Sequence, residues 1–251
     1  FGGLLASSPN SPDALGGLGL VRMRQERLTD AEKLFADANK HSGGKAWGQA
    51  LASVRFWLAL DAGDKARAAG DRVSARRHYE AAAKLDDRHE RPLYSLANLL
   101  TDEGRVADSE AAYKQLLNTF PDSLEVRQGL SQLLLSQNKV EEALALANGL
   151  SDEDKEAMGY GQLLSRQFQL KATALLSAGD TFGAMQNLEE ALLLDSSNPW
   201  LRLQLARLYQ GAGAVREANG LMQGLLQAYP DSPDVLHASA LMSADAKDWA
   251  M

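Results

Sequence analysis

The chain has 251 residues, 45% of them apolar and 6% aromatic, with a formal net charge of −7 and no cysteine. That apolar share supports a buried core and excludes wholesale disorder. The acidic balance argues against a nucleic-acid binder and gives no attraction to an anionic membrane surface. No apolar run reaches the ~18 residues of a membrane span, because Arg55 and Asp61 interrupt the longest candidate. The missing thiols exclude disulfides without settling the compartment.

The chain opens at Phe1 with neither an initiator Met nor a basic, apolar leader, so residues 1–11 are expected to be the remnant of a preceding segment. From residue 12 a periodic pattern begins. Turn signals stand at Gly70, Gly104, Asn138, Gly179 and Gly213. Five residues after each comes a small residue: Ala75, Ser109, Ala143, Ala184 and Ala218. Seven before each is another: Gly63, Ala97, Ser131, Ala172 and Ala206. Nine after comes a larger apolar side chain, at Tyr79, Tyr113, Leu188 and Met222, with Ala147 the exception. A front unit keeps the same spacing through Gly19, Ala31, Phe35 and Ala38, with Glu26 in the turn slot, and Pro121 and Pro230 close two units.

Units therefore start near residues 12, 56, 90, 124, 165, 199 and 233, in steps of 44, 34, 34, 41, 34 and 34. This is the tetratricopeptide pattern. Two antiparallel helices cross closely only where side chains are small, and the turn residue between them needs a positive φ, which Gly adopts freely. Leu93, Leu96 and Leu100, or Leu201, Leu205 and Leu208, give each helix an apolar stripe that one hairpin cannot bury alone. The hairpins are expected to stack into an all-α tetratricopeptide-repeat solenoid over residues 12–251. The last unit runs through Leu236, Ala240 and Trp249 and stops at Met251, barely past its turn, so the natural chain is expected to continue.

Two steps are irregular. Ten extra residues precede Phe56 and seven precede Ser165, or about 2.8 and 1.9 helical turns. Neither insert is rich in Gly or Pro. One long helix is expected from Lys45 to Ala69, with Trp47, Leu51, Val54 and Leu58 on one face. Another is expected from Asp152 to Ser177, started by Ser151 with Asp154 three residues on; the alternative is a short extra, unpaired helix near 45–57 and 152–165. Trp47 and Trp57 admit two readings. They cover apolar surface that the longer helix exposes, or they mark a place where the superhelix bends or hinges.

The runs "ALGGLGLVRMRQERLTDAEKLFADANK" and "KAWGQALASVRFWLALDAGDKARAAGD" resemble the periplasmic repeat region of the bacterial cellulose synthase operon protein C family. In that family a GxLG-type repeat precedes a unit with a Lys–Trp segment and an aromatic–Trp pair, here Lys45, Trp47 and Phe56-Trp57. The runs "SDEDKEAMGYGQLLSRQFQLKATALLSAGD" and "NPWLRLQLARLYQGAGAVREANGLM" are similar to the long helix and the unit that follow in the family, so the resemblance extends from residue 12 to about 230. It implies a periplasmic repeat region in a larger chain that has a signal peptide and a C-terminal outer-membrane β-barrel. Arg22, Ala147 and Lys171 depart from the general repeat pattern.

Nothing in the sequence points to chemistry. His41, His78, His89 and His237 are scattered, the Gly16, Gly17 and Gly19 cluster follows no strand, and the acidic runs sit at helix starts or solvated faces. No cofactor or metal is expected, and the chain reads as a non-enzyme. A repeat stack offers a concave groove lined by the first helix of each unit. Counting from the unit starts places Arg91, Tyr94, Asn98, Gln128, Gln132, Arg166, Gln169, Trp200, Arg207 and Gln210 along it.

The resemblance implies a scaffold that binds other cellulose synthase subunits and links an inner-membrane synthase to an outer-membrane pore. The alternative is direct binding of a cellulose chain or cell-wall glycan, stacked on Tyr94 or Trp200. No nucleic acid and no membrane insertion by this segment are expected. A carboxylate-clamping chaperone adaptor fails on its residues, since Tyr94 replaces the required Lys and Gly129 the next Asn.

Overall fold

A computed structural model of the chain describes residues 8–44 and 46–245. Residues 1–7 of the expected remnant, Lys45 and Trp249 at the end of the final unit lie outside the described residues. Fourteen helices are present among them, and no strand. They are α1 Pro12–Arg24, α2 Leu28–His41, α3 Gly48–Ala68, α4 Arg72–Leu85, α5 Glu90–Asp102, α6 Val106–Thr119 and α7 Leu124–Ser136, then α8 Val140–Ala145, α9 Asp152–Ala157, α10 Tyr160–Ser177, α11 Thr181–Leu194, α12 Pro199–Gly211, α13 Val215–Ala228 and α14 Pro233–Asp245. The chain divides into two compact units within α7, one ending at Leu133 and the other beginning at Leu134. In the first, α1 packs on α2, α3 on α4 and α5 on α6, and the α2–α3 and α4–α5 contacts join successive pairs. In the second, α10 packs on α11 and α12 on α13, with α11–α12, α12–α14 and α13–α14 contacts between them.

Local chemistry sets the helix ends. Ser11 and Asn198 cap α1 and α12 by accepting backbone N–H groups, and Pro12 and Pro199 occupy the first turns. At the Gly-Asp turns the glycine ends one helix and the aspartate starts the next. Gly70 and Gly179 take φ of 78° and 83°, while Asp71 and Asp180 accept the N–H of Ser74 and Gly183 at 3.0 and 2.8 Å. Glu26 fills the same slot with φ 59°, a left-handed conformation that strains a residue with a Cβ. Glu26→Gly is therefore expected to stabilise the first unit by about 1 kcal/mol, read as a higher urea midpoint.

Small residues let the helices approach, and rings fill the gaps. A Cβ on Gly63 would sit 2.5 Å from the Tyr79 ring, and one on Gly19 would sit 2.8 Å from Phe35. Tyr79 and Tyr113 are almost wholly buried, and each reaches back fifteen residues to donate its hydroxyl, to Asp64 Oδ1 at 2.7 Å and to Asn98 Oδ1 at 2.6 Å. Apolar clusters form at the seams between pairs. Phe56, Leu60, Ala75, Tyr79, Ala82 and Leu99 make one, and Leu203, Ala206, Ala218, Met222, Ala238 and Met242 another. Burial is thus distributed along the repeats, as nearest-neighbour stacking requires.

Polar links run in register with the repeat. Arg67 pairs with Asp102 at 2.5 Å and Arg91 with Glu125 at 2.9 Å, joining α3 to α5 and α5 to α7. Arg207 pairs with Asp245 at 2.7 Å, joining α12 to α14. Exposed pairs of this kind are worth roughly 0–1 kcal/mol each, so packing carries stability and the charges mark the register. The Asp71 carboxyl is held below its ordinary value by the Ser74 backbone N–H, and that of Glu103 by the hydrogen-bonded Arg76 guanidinium. A carboxyl depressed in the folded state stabilises above its unfolded value and loses that contribution as pH falls through the folded one. The urea midpoint should therefore drop with acidification below the ordinary values of 3.8 and 4.5. Glu103→Gln should flatten the upper part of that fall.

The irregular steps are resolved differently. The first becomes a turn plus a lengthened helix. Gly43 and Gly44 turn the chain with φ of 67° and 81°, Trp47 occupies the N-cap, and α3 runs 21 residues from Gly48. The expected start at Lys45 is thus corrected to Gly48. In the second, the expected continuous helix from Asp152 to Ser177 is broken. Ser151 does start a helix, its hydroxyl accepting the Asp154 N–H at 3.1 Å, but α9 ends after six residues. Met158 turns inward to 7% exposure, and Gly159 at φ 76° redirects the chain into α10. Ala147, the exception among the ring slots, is buried beyond the short α8.

Candidate functional groove

In the first unit, side chains from α1, α3, α5 and α7 surround a cavity of about 670 Å³ beside Trp57. Trp57 is 41% exposed. Its ring meets Phe56 edge-on at 5.1 Å and His89 at 5.5 Å, which fixes its orientation without covering it. Leu60 and Asp64 follow on the same face of α3. Asp64 already accepts the Tyr79 hydroxyl, and burial, then that carboxylate, push the Tyr79 phenol well above its ordinary value, so it stays a donor.

Of the residues placed in the groove from sequence, Arg91 lines this cavity and holds Glu125. Tyr94 is half-buried and meets Tyr113 at 5.9 Å and 67°, and Asn98 accepts that same tyrosine's hydroxyl. Both therefore serve the packing of α5 on α6. Gln128 is half-buried and Gln132 exposed.

In the second unit, Arg166 and Gln169 are brought together. Arg166 donates to Gln169 and, at 3.1 Å, to Asn138 Oδ1, while Gln169 donates to Gln204 Oε1 at 3.1 Å. They line a polar cavity of about 470 Å³ with Gln162, Asp195 and Asn198. Trp200 is 37% exposed and meets His237 edge-on at 5.3 Å and 87°. Arg207 is engaged by Asp245, and Gln210 keeps a buried Nε2 without a hydrogen-bond partner. Tyr209 donates to Glu189, and that carboxylate, then burial, raises its phenol to about 12.

Trp47 and Trp57 part company. The Trp47 ring stacks on Phe35 at 5.8 Å and 21°, and it occupies the space that a Cβ on Gly16 would need. It is a packing residue of the first two helix pairs, and Trp57 is a surface of the groove.

Among the described residues no group of three or more His, Asp or Glu is placed to hold a metal ion, and no helix is long and apolar enough to cross a membrane. A tetratricopeptide-repeat family model matches residues 100–166 and 175–242, and a second with the same description matches residues 1–44 and 60–123. The chain belongs to the tetratricopeptide-repeat family. Its all-α fold is the one the 34-residue period implied.

Over 99% of its length the chain is 37% identical to cellulose synthase operon protein C of Xanthomonas axonopodis pv. citri. It is 32% identical over 98% to the protein of that name from Pseudomonas fluorescens, and 27% identical over 90% to cellulose synthase 1 operon protein C of Komagataeibacter xylinus. It spans 16%, 19% and 17% of those relatives' lengths. The resemblance carried by the runs around Trp47 and Trp200 holds across the whole chain.

The second, fifth and ninth tetratricopeptide positions from Phe56, which face the groove, are Trp57, Leu60 and Asp64. The signal was present, in the unit that carries the insertion.

Proposed function

We propose that this chain is a non-catalytic protein-interaction segment of a periplasmic cellulose biosynthesis and export assembly, linking an inner-membrane synthase to an outer-membrane pore. One observation carries the reading: a chain of tetratricopeptide hairpins is similar, over 99% of its length, to cellulose synthase operon protein C. A repeat stack presents rigid, repeated helix faces, which suit the docking of partner proteins. The test is capture of synthase-complex components by the immobilised chain from detergent-solubilised membranes of a cellulose-producing bacterium. Recovery of those components is the expected result, and their absence counts against the reading.

Glucan binding has one observation in its favour. The cavity of the second unit collects Gln162, Arg166, Gln169 and Asn198, groups suited to sugar hydroxyls. Titration with cello-oligosaccharides, following Trp fluorescence, tests it; no response at millimolar ligand removes it.

A further inference from the structure

The cavity beside Trp57 combines two kinds of surface. Its floor is apolar, made by Met23, Leu28, Leu60 and the uncovered part of the indole. Its rim is acidic: Glu26, Asp61, Asp64, Glu90 and Glu125 set five carboxylates against the single lining cation, Arg91. Arg91 is already engaged by Glu125 at 2.9 Å, and Asp61 by Lys65 at 2.6 Å. Glu26 and Glu90 have no ion-pair partner among the described residues. A cleft of one charge sign with low-dielectric walls focuses its field and attracts the opposite charge.

We propose that this section of the groove docks an extended protein segment in which Lys or Arg residues flank a large apolar side chain. The apolar side chain rests on Trp57 beside Met23 and Leu28, and the flanking cations meet the rim formed by Glu26, Asp61 and Glu90. At about 670 Å³ the cavity takes one large side chain with its backbone. An uncharged glycan leaves the rim charge uncompensated, which is why the observations favour a basic peptide. The inference rests on the protein-interaction reading above and names the partner's chemistry.

The test uses the whole chain and three probes: a blocked peptide of alternating Lys and Leu with a central Phe, its Glu-for-Lys counterpart, and cellohexaose. The Lys peptide is expected to shift Trp fluorescence saturably and to bind roughly tenfold more weakly when salt is raised from low to several times physiological. Trp57→Ala, and the combination Glu26→Gln, Asp61→Asn and Glu90→Gln, should each weaken it by about tenfold or more, with helical circular dichroism unchanged. Equal binding of the Glu peptide overturns the inference, as does unaltered Lys-peptide binding by the triple variant, or a response to cellohexaose with none to the Lys peptide.

Repeating the synthase-complex capture with the triple variant separates this inference from the broader reading. Undiminished capture by the variant sinks the groove assignment and leaves the interaction role intact. Absence of capture by the unsubstituted chain sinks the role, and the peptide titration still decides the groove.

Discussion

Tyr79→Ala is expected to destabilise the chain by about 3–5 kcal/mol, measured as a fall in unfolding free energy from urea titrations followed by circular dichroism. The side chain is fully buried in the cluster with Phe56, Leu60, Ala75, Ala82 and Leu99. Its ring presses on Gly63 so closely that no neighbour can collapse into the vacated volume without moving α3 against α4. Truncation also removes the donor to Asp64. Tyr79→Phe isolates that hydroxyl and should cost about 1 kcal/mol. The converse change, Gly63→Ala, forces a methyl toward a ring that cannot retreat and should cost about 1–3 kcal/mol. A Tyr79→Ala chain within 1 kcal/mol of its parent contradicts the helix-crossing account (about the cost expected for losing the hydroxyl alone).

Trp47→Ala should cost about 3 kcal/mol, at the lower edge of the range for a large ring because Trp47 is only partly buried. Trp57→Ala should cost under about 1 kcal/mol. The contrast follows from where the two rings sit at the irregular step. Trp47 stacks on Phe35, fills the notch over Gly16 and borders the cluster of Ala31, Leu51 and Val54. Its loss opens a gap between the first two helix pairs. Trp57 meets the rings of Phe56 and His89, stays 41% exposed and faces the groove. Trp47→Phe keeps a stacked ring, and it also removes a buried N–H that has no hydrogen-bond partner, so it should recover more than half of the loss. Equal costs for the two alanine variants would remove the distinction between packing residue and groove surface.

The repeat was legible because its constraints are steric and recur. Gly70, Gly104, Asn138, Gly179 and Gly213 all take positive φ, as does Glu26 despite its side chain. Gly63, Ala97, Ala172 and Ala206 lie at buried crossings. The break at Gly159 was not legible, since a lone glycine inside an apolar pattern is tolerated in a helix and reads as one. Nor were the partners of the groove side chains. A position count tells which face Asn98 occupies. It does not tell that the Tyr113 hydroxyl claims its oxygen, or that Arg166 and Gln169 bind each other first. Trp57 holds a regular groove position, but the ten-residue insertion just before it makes it look like part of the irregularity.

The six-residue helices α8 and α9 have a consequence for slow motions of the second unit. A helix this short scarcely repays its nucleation, and between Val140 and Met158 only those two residues, Ala143 and Ala147 are buried. Amide protons of this stretch should trade with deuterium through local opening, well before those of α11 and α12, which release theirs only when the packed hairpins come apart.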